Sequence, residues 1–235
     1  MTGRVLSIQS HVVSGYVGNK AAVFPLQLLG LDVDVINSVQ FSNHTGHPKG
    51  FKGSVMNGDG LNTLLTGLDE NGLLEDIQYV LTGYIGSATF LAAIRNIILK
   101  VKAGKPNFRY LCDPVLGDHG KFYVPPELVG LMKSEIIPLA DIVTPNQFEV
   151  EQLTGVAILS MEDAKKASAS FHDLGPSIVF LTSLEFSKEE QSDKLTIVAS
   201  QRKQTTDTTH HDEVYSIEVP KMQGAFTGTG DLTAA

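Results

Sequence analysis

Apolar runs of strand length alternate along this chain with stretches of helical periodicity, the pattern of a mainly parallel sheet covered by helices on both faces. The expected fold class is therefore α/β. Residues 4–8 read as a short strand, and a Gly-containing turn leads into a helix over residues 19–29 that Gly30 closes. Residues 32–36 form the next strand. Leu61, Leu64, Leu65 and Leu68 recur at i, i+3, i+4 and i+7, marking an amphipathic helix after the turn-prone Asn57-Gly58-Asp59-Gly60. Residues 79–82 read as strand. Ser87 then caps a helix whose apolar face is Phe90, Leu91, Ile94, Ile97, Ile98 and Val101. Residues 110–113, 142–144 and 179–182 give three further strands. Ser160 and Asp163 resemble a capping box that opens a helix reaching Leu174, where Gly175-Pro176 ends it. Residues 195–199 and 214–219 form a late pair of strands, joined by a polar, solvated and mobile loop over residues 201–212. Without a repeat, linker or break in composition, residues 1–235 are expected to form a single domain.

With 42% hydrophobic and 19% charged residues among 235, a soluble globular chain is expected. The net charge of -8, a pI near 5.3 and scattered Lys and Arg exclude a nucleic-acid footprint. No run approaches the roughly 20 apolar residues of a membrane span. Met1-Thr2-Gly3-Arg4 opens directly into a strand-like run rather than a signal peptide, so a cytoplasmic setting is expected. The single Cys112 cannot form an internal disulfide and reads as a small buried strand residue, with no His within five residues of it. His210-His211-Asp212 could suggest a metal site, but adjacent histidines rarely aim at one ion, and a solvated loop is the better reading.

Ligands of parallel α/β sheets bind beyond the carboxyl ends of the strands. Five strand candidates end there in small polar or acidic groups: Ser10-His11, Thr82-Gly83-Tyr84, Asp113, Thr144-Pro145-Asn146 and Thr182-Ser183. Each alone has a local explanation as a strand end or cap, whereas together they suggest one shared site. Asn146 and Glu149 share a face at a helix start, which could hold a divalent ion or simply form an N-cap. Asp113 and Asp118 flank a turn that puts two carboxylates near one rim, as Mg²⁺ bound through phosphates requires. Phe226-Thr227-Gly228-Thr229-Gly230-Asp231 permits a tight turn whose N–H groups converge on an anion beside a carboxylate. Such a carboxylate can take a proton from a substrate hydroxyl. An ordinary glycine turn with an Asp cap remains the local alternative.

These residues fall into strings that match a known family. They are Arg4-Val5-Leu6-Ser7-Ile8-Gln9-Ser10-His11, Gly15-Tyr16-Val17-Gly18-Asn19 and Asn37-Ser38-Val39-Gln40-Phe41-Ser42-Asn43-His44-Thr45-Gly46. Further along come Leu81-Thr82-Gly83-Tyr84, Cys112-Asp113-Pro114-Val115-Leu116-Gly117-Asp118, Thr144-Pro145-Asn146-Gln147-Phe148-Glu149 and Gly228-Thr229-Gly230-Asp231. In order and over nearly the whole chain, the sequence resembles the pyridoxal kinases of the ribokinase-like superfamily. The string around Asn43-His44-Thr45-Gly46 is specific to the pyridoxal branch.

The resemblance implies transfer of the γ-phosphoryl of ATP to the 5'-hydroxyl of pyridoxal, pyridoxamine or pyridoxine, with Mg²⁺ or another divalent ion and K⁺ or another monovalent ion. It assigns Ser10, Val17, Phe41, His44, Thr45 and Tyr84 to the vitamin pocket, Asp231 as base, and the backbone of Gly228, Thr229 and Gly230 as anion hole. Asp113, Asp118, Asn146 and Glu149 would organise metal and phosphates, while Thr144, Thr182 and Ser183 would contact nucleotide. A homodimer and a flap over residues 116–124 are implied as well. His47-Pro48-Lys49-Gly50-Phe51 departs from the Tyr and Trp associated with many members. The family continues past the turn at Asp231 for a helix and further segments that complete the nucleotide pocket, so against the family this sequence reads as truncated at the C-terminus, and the four residues after Asp231 are not expected to form a helix. The alternatives are a hydroxymethylpyrimidine kinase-like enzyme, and a catalytically silent truncated form that binds vitamin B6 or dimerises.

Overall fold

The computed structural model describes residues 3–186, 193–204, 210–224 and 226–235. It divides into one unit of Met1–Asp113 with Phe226–Ala235 and another of Pro114–Ala225. The first unit runs β1 (Arg4–Ser14), α1 (Asn19–Leu28), β2 (Asp32–Asn43), β3 (Gly53–Val55), α2 (Gly58–Glu70), β4 (Tyr79–Thr82), α3 (Ala88–Lys102) and β5 (Arg109–Cys112). Its strands lie in the order β5-β4-β1-β2-β3. All neighbours are parallel except β3, which turns back antiparallel on β2. Successive residues Val5, Leu6, Ser7 and Ile8 of β1 are all buried, so both faces of the sheet are covered, as parallel sheets require. Ser87 caps α3 as expected, and the six expected apolar residues of that helix are buried. On α2 the expected stripe is narrower, for Leu61 and Leu65 are buried while Leu64 is 45% exposed.

Both first strands run further than their apolar runs suggest. β1 continues past Ile8 and β2 past Ile36, because polar residues that interrupt the hydrophobic pattern pair across the ladder, Gln9 with Asn37 and His11 with Gln40. The register shifts between Gln9 and Ser10. Asn19, at the first turn of α1 and 1% exposed, closes this polar layer. Its Oδ1 accepts from Ser7 Oγ at 2.7 Å, and its Nδ2 reaches the Ile36 carbonyl at 2.9 Å, Asn37 Oδ1 at 2.9 Å and the Gln9 carbonyl at 3.2 Å. One side chain thereby ties α1 to β1 and β2.

The second unit contains the hairpin β6 (Gly117–Asp118) and β7 (Lys121–Phe122), then α4 (Leu128–Leu131), β8 (Ile142–Val143), α5 (Gln147–Thr154), α6 (Met161–Leu174), β9 (Ile178–Leu184), β10 (Lys194–Gln204) and β11 (His210–Pro220). After α4 the chain winds through a wide helical turn, Met132–Ile136, and a tighter one, Ile137–Leu139. Leu128, Met132 and Ile136 are buried at intervals of four, a stripe that Pro125-Pro126, Gly130 and Pro138 hide from a periodicity reading. β8 is parallel to β9, and β10 and β11 are antiparallel additions.

The expected solvated loop over residues 201–212 is corrected here. Gln201–Gln204 and His210–Asp212 are the paired ends of β10 and β11, and only residues 205–209 lie outside the described ones. Arg202 explains the pairing. It sits opposite Asp212 in the register, donates to both its carboxylate oxygens at 2.8 and 2.9 Å, and reaches Asp173 of α6 at 2.6 Å. Beneath it, buried His172 bridges the Pro176 carbonyl and Ser200.

A last helix, α7 (Thr229–Ala234), returns to the first unit, contrary to the expectation that so few residues cannot form one. Nucleation is unfavourable for an isolated segment, but Ala234 is 4% exposed against Ala22 and Leu26 of α1, and this packing supplies what propensity does not. Asn19→Ala should lower stability by about 3 kcal/mol in urea unfolding, because several buried partners lose their hydrogen bonds together. A loss within the ordinary scatter of surface substitutions, about 0.5 kcal/mol, would show the polar layer to be dispensable.

Candidate active site

In the first unit, the carboxyl end of β1 meets two glycine turns. The parallel ladder of β1 with β4 ends at the Ile8–Thr82 pair, so Ser10 lies beyond it although β1 itself runs on to Ser14. Gly18 has φ 53°, and a Cβ there would overlap the Ser10 carbonyl oxygen. Gly228 has φ 81°, and a Cβ there would overlap the Tyr16 carbonyl oxygen. These are backbone-to-backbone approaches that side chains would forbid. They bring Ser10, half-buried Val17 and the Gly228-Thr229-Gly230-Asp231 turn together. Asp231 is half-buried, and this burial holds its carboxyl above the usual carboxylate range, against a hydrogen bond from the Gly18 amide that pulls it down.

Phe41 and His44 occupy the end of β2 and the turn after it, both half-buried, and Thr45 is exposed in that turn. Tyr84 follows β4, half-buried beside Gly86, and burial raises its phenol above the usual range. Asp113 follows β5, 5% exposed, its amide donating to the Thr82 carbonyl at 2.9 Å.

In the second unit, Asn146 and Glu149 form the capping box that was the plainer of their two expected roles. Asn146 Oδ1 accepts from the Glu149 amide at 2.9 Å, and Glu149 Oε2 accepts from the Asn146 amide at 2.9 Å. The box also grips the hairpin. Glu149 Oε1 accepts from the Leu116 amide at 3.0 Å, and Asn146 Nδ2 donates to the Gly117 carbonyl at 2.8 Å. Burial pushes the Glu149 carboxyl up to about 8, while the amides of Asn146, Leu116 and Gly117 pull it down and nearby Asp118 adds to the rise. Asp118 is half-buried on β6, at a turn where His119 and Gly120 both have positive φ.

Thr144, just past β8, is 6% exposed and its Oγ1 is buried without a hydrogen-bond partner among the described residues. Such a group calls for a ligand or water. Thr182 is bridged to Asn146 across the sheet, and Ser183 beside it holds φ 55°, a left-handed conformation rare outside glycine and common at functional sites. His210 and His211 are exposed on β11, and among the described residues no group of three His, Cys, Asp or Glu side chains gathers as a metal site.

Sequence reasoning gave no role to Gly18, Asn19 or the amides of Leu116 and Gly117. The available signal was their place inside matching strings, since a glycine's use shows only when a second backbone comes against it.

Over its whole length the chain is 53% identical to a pyridoxal kinase of Arabidopsis thaliana, of which it covers 72%, and over 99% of its length 46% identical to the Homo sapiens pyridoxal kinase, of which it covers 75%. The chain belongs to the pyridoxal kinase family. A solved pyridoxal kinase from Leishmania donovani, in complex with ADP and pyridoxamine, superposes with a TM-score of 0.89 at 39% identity, over 98% of this chain and 79% of that one. Residues 71–235 also match the family model described as phosphomethylpyrimidine kinase. No described helix is long and apolar enough to cross a membrane.

Within this pyridoxal kinase fold, Gly228 and Gly30 make a controlled pair. Both have positive φ, but a Cβ at Gly30 meets open space. Gly30→Ala should cost about 1 kcal/mol of stability. Gly228→Ala should in addition cut phosphoryl transfer about 100-fold, since a displacement near 1 Å suffices for that. Equal activity of the two variants in an assay of pyridoxal phosphate formation would refute the close-approach argument.

Proposed function

We propose that this chain transfers the γ-phosphoryl of ATP to the 5'-hydroxyl of pyridoxal, pyridoxamine or pyridoxine, giving the 5'-phosphate. The observation that carries this reading is the contact of the Asp231 turn with the end of β1 through Gly18 and Gly228. A carboxylate raised by burial, hydrogen-bonded to an amide and set beside a glycine turn suits a general base for an alcohol. Ser10, Val17, Phe41, His44, Thr45 and Tyr84 take the vitamin, and the backbone of Gly228, Thr229 and Gly230 stabilises charge on the transferred group. Thr144, Thr182 and Ser183 contact nucleotide, supported by the unpartnered Thr144 hydroxyl and the left-handed Ser183.

The donor set fits a divalent ion at Asp118, a half-buried carboxylate, with Asp113 as the second candidate. Glu149 fits direct ligation poorly, because both its oxygens already accept amide N–H groups, and its role is to fix the hairpin that carries Asp118. When bound, the ion neutralises phosphate charge. A monovalent ion, a homodimer and a cytoplasmic setting complete the proposal. Exposed Phe24, Leu28 and Leu29 at the end of α1 offer apolar surface to a second copy.

The match to the phosphomethylpyrimidine kinase model favours a second reading, a kinase of hydroxymethylpyrimidine. Comparing turnover of the two alcohols separates them, with pyridoxal preferred if the first reading holds. Asp231→Asn should lower turnover by about 10²–10⁴-fold while pyridoxal still binds. Because the base must be ionised and its value is raised, activity should fall as pH drops through a value above the ordinary aspartate range of about 4. Wild-type turnover by Asp231→Asn, or an acid limb at or below that range, would remove Asp231 from the role.

A further inference from the structure

The segment His47-Pro48-Lys49-Gly50-Phe51 supplies ring partners to two pocket candidates, His44 and Phe41. The His47 ring lies 4.3 Å from that of His44, tilted 40°. The Phe51 ring lies 4.5 Å from that of Phe41, tilted 42°. The Nδ1 of the His44 ring is buried without a hydrogen-bond partner among the described residues. A Cβ on Gly46 would come within 3.2 Å of that nitrogen, so the turn leaves the ring room on this side and His47 bounds it on another.

The segment itself is fastened to β2. Asn43 Nδ2 donates to the carbonyls of His44 and Gly50 at 3.0 Å each. The Ser42 amide donates to the Lys52 carbonyl at 2.8 Å, and the Lys52 amide to Ser42 Oγ at 3.1 Å. Gly53 then passes so close to Gln40 that a Cβ would overlap its carbonyl. The exposed rings of His47 and Phe51 are therefore anchored at both ends of their loop. They have an orientation to impose.

We propose that His47 and Phe51 are positioning residues that set the rings of His44 and Phe41 and thereby determine which vitamin B6 alcohol this chain prefers. The proposal rests on the kinase reading above and deepens it. Ring contacts of this kind are worth enough to alter affinity severalfold, and the three vitamers differ in a single substituent of the pyridine ring, so a small shift of two walls is felt unequally among them.

The test uses the full chain carrying His47→Ala, His47→Phe or Phe51→Leu, with pyridoxal affinity measured by direct titration and KM and kcat by turnover of pyridoxal, pyridoxamine and pyridoxine. His47→Ala should weaken pyridoxal binding by about five- to tenfold and change the order or ratio of KM among the alcohols. KM for ATP and kcat should stay within about twofold, the mark of lost ground-state positioning. His47→Phe keeps a ring and should recover most of the affinity. Phe51→Leu, which keeps apolar cover, should shift the KM ratios by itself and decides the matter if His47→Ala fails to fold. Unchanged KM ratios in both the alanine and leucine variants, or His47→Phe no better than His47→Ala, would overturn the proposal alone. Failure of the wild-type chain to bind pyridoxal would overturn the kinase reading together with it.

Discussion

Much of the proposed chemistry depends on two places where backbone touches backbone. Gly18 lies against Ser10 and Gly228 against Tyr16, and neither position has space for a Cβ. Through them the end of β1, the loop before α1 and the turn before α7 become one rigid corner. Asp231 is held there by the Gly18 amide, and Ala234 seals α7 onto α1. The same corner is braced from behind by Asn19, whose hydrogen bonds reach β1 and β2. Catalysis by positioning needs such rigidity, because phosphoryl transfer offers the protein little covalent chemistry.

The second unit uses a different device for a similar end. The capping box of Asn146 and Glu149 satisfies the first amides of α5, and in addition Glu149 accepts from the Leu116 amide and Asn146 donates to the Gly117 carbonyl of the hairpin before it. A buried acid in this position is costly unless amides compensate it, and three of them do. The hairpin carrying Asp118 is thus attached to a helix start by hydrogen bonds, and the Phe122 ring adds an edge contact with Phe148 of the same helix at 5.0 Å.

Much of this architecture was legible because period and punctuation agree. The residues 79–82 strand, the Ser87 cap and the Gly175 stop needed only local rules. What escaped was set by partners distant in sequence. β1 and β2 outran their apolar patterns because Gln9, Asn37 and Gln40 find one another across a ladder, and β10 and β11 closed over residues read as loop because Arg202 meets Asp212 and Asp173. α7 formed from too few residues because α1 receives it. At the candidate site, neither how Glu149 would use its oxygens nor that Gly18 would lie between Ser10 and Asp231 was legible. His47 and Phe51 were visible only as a departure until their rings met those of His44 and Phe41.

The central claim, that a glycine-only corner holds the base in place for an alcohol phosphotransfer, is tested most directly by ATP-dependent formation of pyridoxal phosphate by the wild-type chain and by Gly18→Ala. The wild-type chain should form the product, and Gly18→Ala, folded and still binding ADP, should be slower by about 100-fold. A wild-type chain without this activity, or a Gly18→Ala chain that matches it, would contradict the account.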